Sequence, residues 1–218
     1  MSGKAVPFRR VLIISGGSAA LWRHSLQISL IRTERHSLSA HRAAQPQDKI
    51  IMNAPANSTE MTFTEGTIKD VIVYDLKKYF DDRGWLAELF RHDDLDEEFY
   101  PTMSYISFTK PGIQRGPHEH VDQADLFCFI GPSTFNIRLW DNRPDSPTYN
   151  SMMSLLVGVD NPKAVVVPKG VVHGYKNVGE IDGMVINCPN RLYMGEGKKE
   201  PIDEIRHEDD PNTIYRMD

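Results

Sequence analysis

Two short stretches constrain this chain more than anything else in it. The first is Gly116-Pro117-His118-Glu119-His120, followed by Asp125 and Gly131. The second is Pro168-Lys169-Gly170-Val171-Val172-His173, followed by Asn177. His118 and His120 stand at i and i+2, so on a strand they point to one face. If that face lines a closed sheet, two imidazoles enter one cavity. Pro168 and Gly170 suit a tight turn, because proline fixes φ and glycine accepts a positive φ. His173 then opens the next strand and brings a third imidazole to the same place. His118, His120, Asp125 and His173 together have the donor types of a divalent-metal site for Zn, Fe, Mn or Ni, with open positions for a substrate. Each histidine alone is equally at home as a hydrogen-bonded core or surface residue.

The surrounding pattern is that of an all-β chain. Val71–Tyr74, Ser104–Thr109, Leu126–Ile130, Phe135–Asp141, Ala164–Val167 and Met184–Ile186 are β-branched, aromatic or alternating runs. Clusters such as Lys110-Pro111-Gly112, Gly131-Pro132-Ser133 and Asp160-Asn161-Pro162 punctuate them. Many short strands at such spacing predict a sandwich or barrel. One short acidic stretch, Asp93 to Phe99, is expected to be helical. The longest apolar runs are four or five residues, far short of a membrane-spanning helix. A net charge of −5 argues against a general nucleic-acid binder. Two cysteines, Cys128 and Cys188, form no disulfide framework and fit a reducing, cytoplasmic compartment.

Residues 1–51 differ from the rest. Arg9, Arg10, Arg23, Arg32, Arg35 and Arg42 face only two acids before Lys49, Glu34 and Asp48. Such a stretch reads as a presequence, a disordered arm, or a segment preceding the true start. The favoured reading is a start at Met52, with the barrel domain occupying residues 62–218.

Two further constellations carry arginines. In Phe80-Asp81-Asp82-Arg83-Gly84-Trp85, Arg83 beside a turn glycine is placed to grip a phosphate bidentately. A solvated hairpin turn explains the same residues. In Gln114-Arg115-Gly116-Pro117-His118, Arg115 sets a second guanidinium three residues before the first histidine. A strand-edge charge is the alternative there.

The paired histidine stretches resemble the two-part signature of the cupin barrel, a double-stranded β-helix or jelly roll. With the flanking motifs they resemble the dTDP-4-dehydrorhamnose 3,5-epimerase family. The segments that carry the likeness are Phe80 to Phe90, Arg115 to His118, Asp141-Asn142-Arg143-Pro144-Asp145-Ser146-Pro147-Thr148-Tyr149, and Pro168 to Gly174. The resemblance implies inversion of carbons beside the 4-keto group of a nucleotide-diphosphate deoxysugar, by a homodimer that needs no cofactor. It makes His118, His173 and position 187 catalytic, with His118 as the base. It makes Arg83, Glu88, Arg115, Gln123 and Arg143 substrate-binding.

Three departures accompany the likeness. The family's catalytic tyrosine falls on Asn187, which has no acidic proton of suitable pKa. The family's lysine after the histidine falls on Asp125, an anion where the enolate needs a cation. The family's C-terminal aspartate, which orients the base, has no counterpart in Tyr215-Arg216-Met217-Asp218. Epimerisation or isomerisation of a keto-sugar nucleotide is the expected function. The alternatives are a metal-dependent cupin of another reaction type, or a sugar-nucleotide-binding cupin without catalysis.

Overall fold

Buried positions on both faces of one strand reveal how the layers are arranged. In a computed structural model that describes residues 62–218, every residue of Asp125–Phe129 is buried. Alternation sends Asp125, Phe127 and Phe129 to one face and Leu126 and Cys128 to the other. Phe127 and Phe129 join a core with Phe135, Ile137, Leu139, Val165, Val171, Tyr175 and Val185. Leu126, Cys128 and Ile130 pack outward against Leu76, Leu95 and Phe99. The strand is therefore the middle layer between an internal core and a covering segment.

In chain order the strands are β1 (Thr64–Glu65), β2 (Ile72–Asp75), β3 (Tyr79–Asp81), β4 (Gly84–Leu86) and β5 (Tyr105–Thr109). They continue as β6 (Gln114–Glu119), β7 (Asp125–Phe129), β8 (Thr134–Asp141) and β9 (Ser151–Gly158). The last are β10 (Lys163–Val167), β11 (Val171–Asn177), β12 (Gly183–Asn187) and β13 (Ile205–Arg206). One sheet has six strands in the order β1-β9-β8-β11-β6-β13, the other five in the order β2-β10-β7-β12-β5. A separate pair, β3-β4, forms a hairpin. Apart from the parallel β1–β9 pair, the pairings are antiparallel. Side chains from both sheets meet in the internal core, as in a jelly roll.

The expected strand runs each fall on a strand: β2, β5, β7, β8, β10 and β12. The expected helix over Asp93–Phe99 is not an α-helix. It is two three-residue 3-10 turns, His92–Asp94 and Glu97–Phe99, the second anchored by buried Phe99. Five acids in this stretch, Asp93, Asp94, Asp96, Glu97 and Glu98, leave too little apolar surface for a packed helix face. Strand β9 escaped the pattern, because its Met and Ser residues have no strong strand preference. The expected arm of residues 1–51 lies outside the described residues.

Candidate active site

Strands β6 and β11 lie side by side with His118 directly opposite His173. Their ring centroids are 4.5 Å apart. Gly116 permits this approach: its φ is +78°, and a Cβ there would stand 2.6 Å from the His173 carbonyl oxygen. His120 follows β6, with its ring 5.5 Å from His118 and 5.7 Å from His173. The turn before β11 is the expected one, with Gly170 at φ +72°.

The facing sheet supplies the carboxylate. Asp125 opens β7 with its side chain 1% exposed, and its Oδ2 lies 3.1 Å from His120 Nε2 and 3.2 Å from His173 Nε2. Its Oδ1 accepts from Gln123 Nε2 at 3.0 Å and from Asn187 Nδ2 at 2.9 Å. The far ring nitrogens are anchored to backbone. His173 Nδ1 donates to the Val171 carbonyl at 2.9 Å, and His120 Nδ1 donates to the Asp203 carbonyl. The ligand atoms of His118, His120, Asp125 and His173 all lie within 4.8 Å of one another. Three buried atoms of this set, His118 Nδ1, His173 Nε2 and Asp125 Oδ2, lack a well-aligned hydrogen bond.

These contacts set the charges. Burial works against a charge on Asp125, yet His120 and His173 hold its carboxyl well below the usual range. Burial also works against a charge on His120, but Asp125 and the Asp203 carbonyl and carboxylate outweigh it and raise the pKa to about 9. For His118, burial dominates, helped by His173 and His120 and opposed by Asp125, and the pKa falls to about 2. At neutral pH the trio therefore includes one imidazolium, His120, and one neutral imidazole with a free lone pair, His118. The Asp125 charge, which the sequence makes look like a misplaced anion, is consumed inside the cluster.

Two residues outside the sequence motifs complete the site. Glu204 brings a carboxylate to 3.6 Å from His118 Nδ1. It rides on the segment entering β13, which pairs with β6 so that Arg206 stands opposite His118. Its neighbour Asp203 accepts the backbone N–H groups of Val121, Asp122 and Gln123 at 2.9, 2.9 and 2.8 Å, fixing the turn between β6 and β7. Tyr105 on β5 stands opposite Asn187, and its hydroxyl oxygen accepts from Asn187 Nδ2 at 2.9 Å. No motif or spacing in the sequence marks either Glu204 or Tyr105, since only the sheet register brings them here.

A cavity of about 1220 Å³ opens above the cluster. His118, His120, Gln123, Arg115, Tyr105 and Glu204 line it, and Arg191, Lys198 and Tyr193 stand among its other walls. Arg115 is steadied by donating from Nε to Thr109 Oγ1 at 3.0 Å and from Nη2 to the Phe108 carbonyl at 2.9 Å.

Three of the residues expected to bind substrate stand elsewhere. Arg83 is 87% exposed at the β3–β4 turn and turns back onto Asp81 at 2.5 Å. The Asp-Arg-Gly sequence closes that turn on itself, so the hairpin reading accounts for it within this chain. Glu88 is exposed and pairs with Arg91 at 3.4 Å. Arg143 is held by Asp141, at 2.8 Å from Nε and 3.0 Å from Nη2, and by Asp70 at 3.2 Å. Asp141 also accepts from Ser146 and Thr148, each at 2.6 Å. That motif is a loop knot built on one buried carboxylate, and it leaves the Arg143 guanidinium no part in the cavity.

A jelly roll holding a histidine–carboxylate cluster at its open end defines a cupin-type site. A family model for dTDP-4-dehydrorhamnose 3,5-epimerase matches residues 65–210. The chain belongs to that family, and so to a class of sugar-nucleotide epimerases. It is 39% identical over 135 residues to the probable low-salt glycan biosynthesis epimerase Agl13 of Haloferax volcanii, covering 61% of this chain and 85% of that one. It is 39% identical over 152 residues to the spore coat polysaccharide biosynthesis protein SpsL of Bacillus subtilis, covering 68% and 99%. Among solved structures, the dTDP sugar isomerase of Desulfovibrio desulfuricans shares the fold with a TM-score of 0.59 and 20% identity, over 68% of this chain and 90% of that one. The epimerase of Legionella pneumophila in complex with dTDP-4-keto-L-rhamnose does so with a TM-score of 0.55 and 20% identity, over 66% and 76%.

Proposed function

We propose that the chain epimerises a nucleotide-diphosphate-linked 4-keto-6-deoxysugar, with His118 as a metal-free base. The observation that carries this is the His118–Glu204 pair at the floor of a cavity with room for a sugar nucleotide. The ketone acidifies the neighbouring C–H bond, so the main demand on the site is to stabilise an enolate. Neutral His118 has the lone pair to take the proton. Glu204 is the anion beside it that steadies the imidazolium once formed. His120, charged and buried, offers the positive potential that the family's lysine gives elsewhere. Arg115, Arg191 and Lys198 line the cavity as cations for the diphosphate. Fold and family support a glycan or deoxysugar pathway, and the relatives' names point the same way.

The family resemblance also implies a dimer. The alternate residues of edge strand β5, Ile106 and Phe108, are both 59% exposed and form an apolar row that a second copy would cover. Sedimentation at micromolar concentration tests this. A cytoplasmic location goes with a nucleotide-sugar substrate and with two free cysteines.

A metal-dependent reading has one observation in its favour, the three buried donor atoms without aligned hydrogen bonds. His118, His120, Asp125 and His173 fit a divalent ion, and backbone carbonyls already fix His120 and His173 with Nε2 inward. One experiment separates the readings. Solvent deuterium exchange beside the 4-keto group, followed by NMR, is expected to survive chelation and to fall by about 10²–10⁴ in His118→Asn. Loss of exchange on chelation, restored by a divalent ion, would establish the metal reading instead.

A further inference from the structure

We infer that Tyr105 is the acid that protonates the enolate on the face opposite His118. The inference rests on the epimerase reading and supplies the group that Asn187 is unable to provide. Inversion at carbon has a geometric requirement. The proton leaves one face of a planar enolate, and its replacement must arrive at the other. His118 stands on β6 in the six-stranded sheet, and Tyr105 on β5 in the five-stranded sheet. Both line the same cavity. A sugar ring lying between the sheets therefore meets the imidazole on one side and the phenol on the other.

The hydrogen bonding around Asn187 fixes which way the phenol points. Asp125 is ionised and has no proton to give, so the Asn187 atom 2.9 Å from its Oδ1 must be the amide nitrogen. The second N–H of that same nitrogen reaches the Tyr105 hydroxyl oxygen at 2.9 Å. Tyr105 is thus the acceptor in this bond, and its own O–H hydrogen stays free for the cavity. The same amide N–H stabilises the phenolate left after donation. Burial, then the Asp125 charge, push the Tyr105 pKa up to about 12, which keeps the phenol loaded at neutral pH.

The other tyrosines are placed differently. Tyr175 lies on β11, in the same sheet as His118, and its hydroxyl is engaged with Ser107 Oγ at 2.9 Å. Tyr193 also lines the cavity, but it follows β12 in a loop, whereas Tyr105 stands on a strand with its hydroxyl oriented by Asn187.

The step balances without a further reactant. The C–H bond breaks, its proton goes to His118, and its electron pair moves onto the ketone oxygen. The enolate then takes the Tyr105 proton: a C–H bond forms on the opposite face and the O–H bond breaks. His118 is left as imidazolium and Tyr105 as phenolate, and proton transfer through solvent restores both.

The test measures exchange and inversion separately, on the full chain with a nucleotide-linked 4-keto-6-deoxysugar in D₂O. NMR follows deuterium uptake, and the ring couplings follow configuration. In Tyr105→Phe, exchange is expected to stay within about threefold, because His118 alone returns deuterium to its own face. Inversion is expected to fall by about 10²–10⁴. Retained exchange also proves that the variant folds. Inversion at the wild-type rate in Tyr105→Phe would overturn the assignment. So would equal loss of exchange and inversion with a native melting profile, or collapse of inversion in Tyr175→Phe alone. Wild-type protein that neither exchanges nor inverts would instead overturn the epimerase reading, and the role of Tyr105 with it.

Discussion

The histidine cluster and the β3–β4 hairpin are both rich in polar and aromatic residues, yet they are held in opposite ways. In the cluster, Asp125 meets four side chains drawn from two strands, β11 and β12, and from the turn between β6 and β7, and each partner is fixed by another bond. In the hairpin, Arg83 meets, among the described residues, only Asp81 two residues away, and Phe80 is 75% exposed. A charged group that is buried must be paired from several directions, so its position is determined by the whole fold. A charged group in solvent is satisfied locally, and its position reveals little about function. The cluster is a coupled unit that lines the cavity, whereas the hairpin presents an unpacked aromatic surface.

The largest effect that sharpens this contrast is on stability. Asp125→Ala leaves the His120 imidazolium buried without its anion, and is expected to cost about 3–5 kcal/mol in denaturant melts. A loss under 1 kcal/mol would show that the cluster is not the tightly coupled unit described.

The second effect depends on pH. The His120 pKa rises from about 6.5 when unfolded to about 9 when folded. Its pairing therefore stabilises fully below about pH 6.5, and that contribution is lost as pH rises through about 9. A decline of about 3 kcal/mol across this window is expected, and His120→Asn is expected to flatten it.

The third concerns the rim. Arg115→Ala is expected to weaken sugar-nucleotide binding by about 1.5–3 kcal/mol in calorimetry, as for a charge-assisted phosphate contact. The smallest is in the hairpin, where Arg83→Ala is expected to change stability by less than about 0.5 kcal/mol. A larger loss would break the comparison, because it would make the hairpin a packed element.

Much of the site was legible in the sequence because its core obeys short spacings. His118 and His120 share a face by strand period, and the Pro-x-Gly turn delivers His173 opposite them. Asn187 and Gln123 stand at motif positions, and both reach Asp125. What remained hidden depends on register between distant strands. Glu204 is aligned with His118 only because β13 pairs with β6, and Tyr105 meets Asn187 only because β5 pairs with β12. Arg143 stands apart from the cavity for a related reason. A motif marks that residues are kept together, and here they are kept together to tie a loop around Asp141. The charge on Asp125 misled because a sequence shows the anion without its counterions.

The Asp203–Glu204 tether lets the fold and the site part company. All strands of the five-stranded sheet, and the histidine strands of the other, lie outside it. Release of residues 203–206 would leave the pairings among those strands intact. It would take the carboxylate from beside His118 and the acceptor from the three backbone N–H groups of residues 121–123. The state of the cavity is therefore separable from the integrity of the sheets: with the tether undocked, the barrel strands stay paired while His118 loses its neighbouring anion.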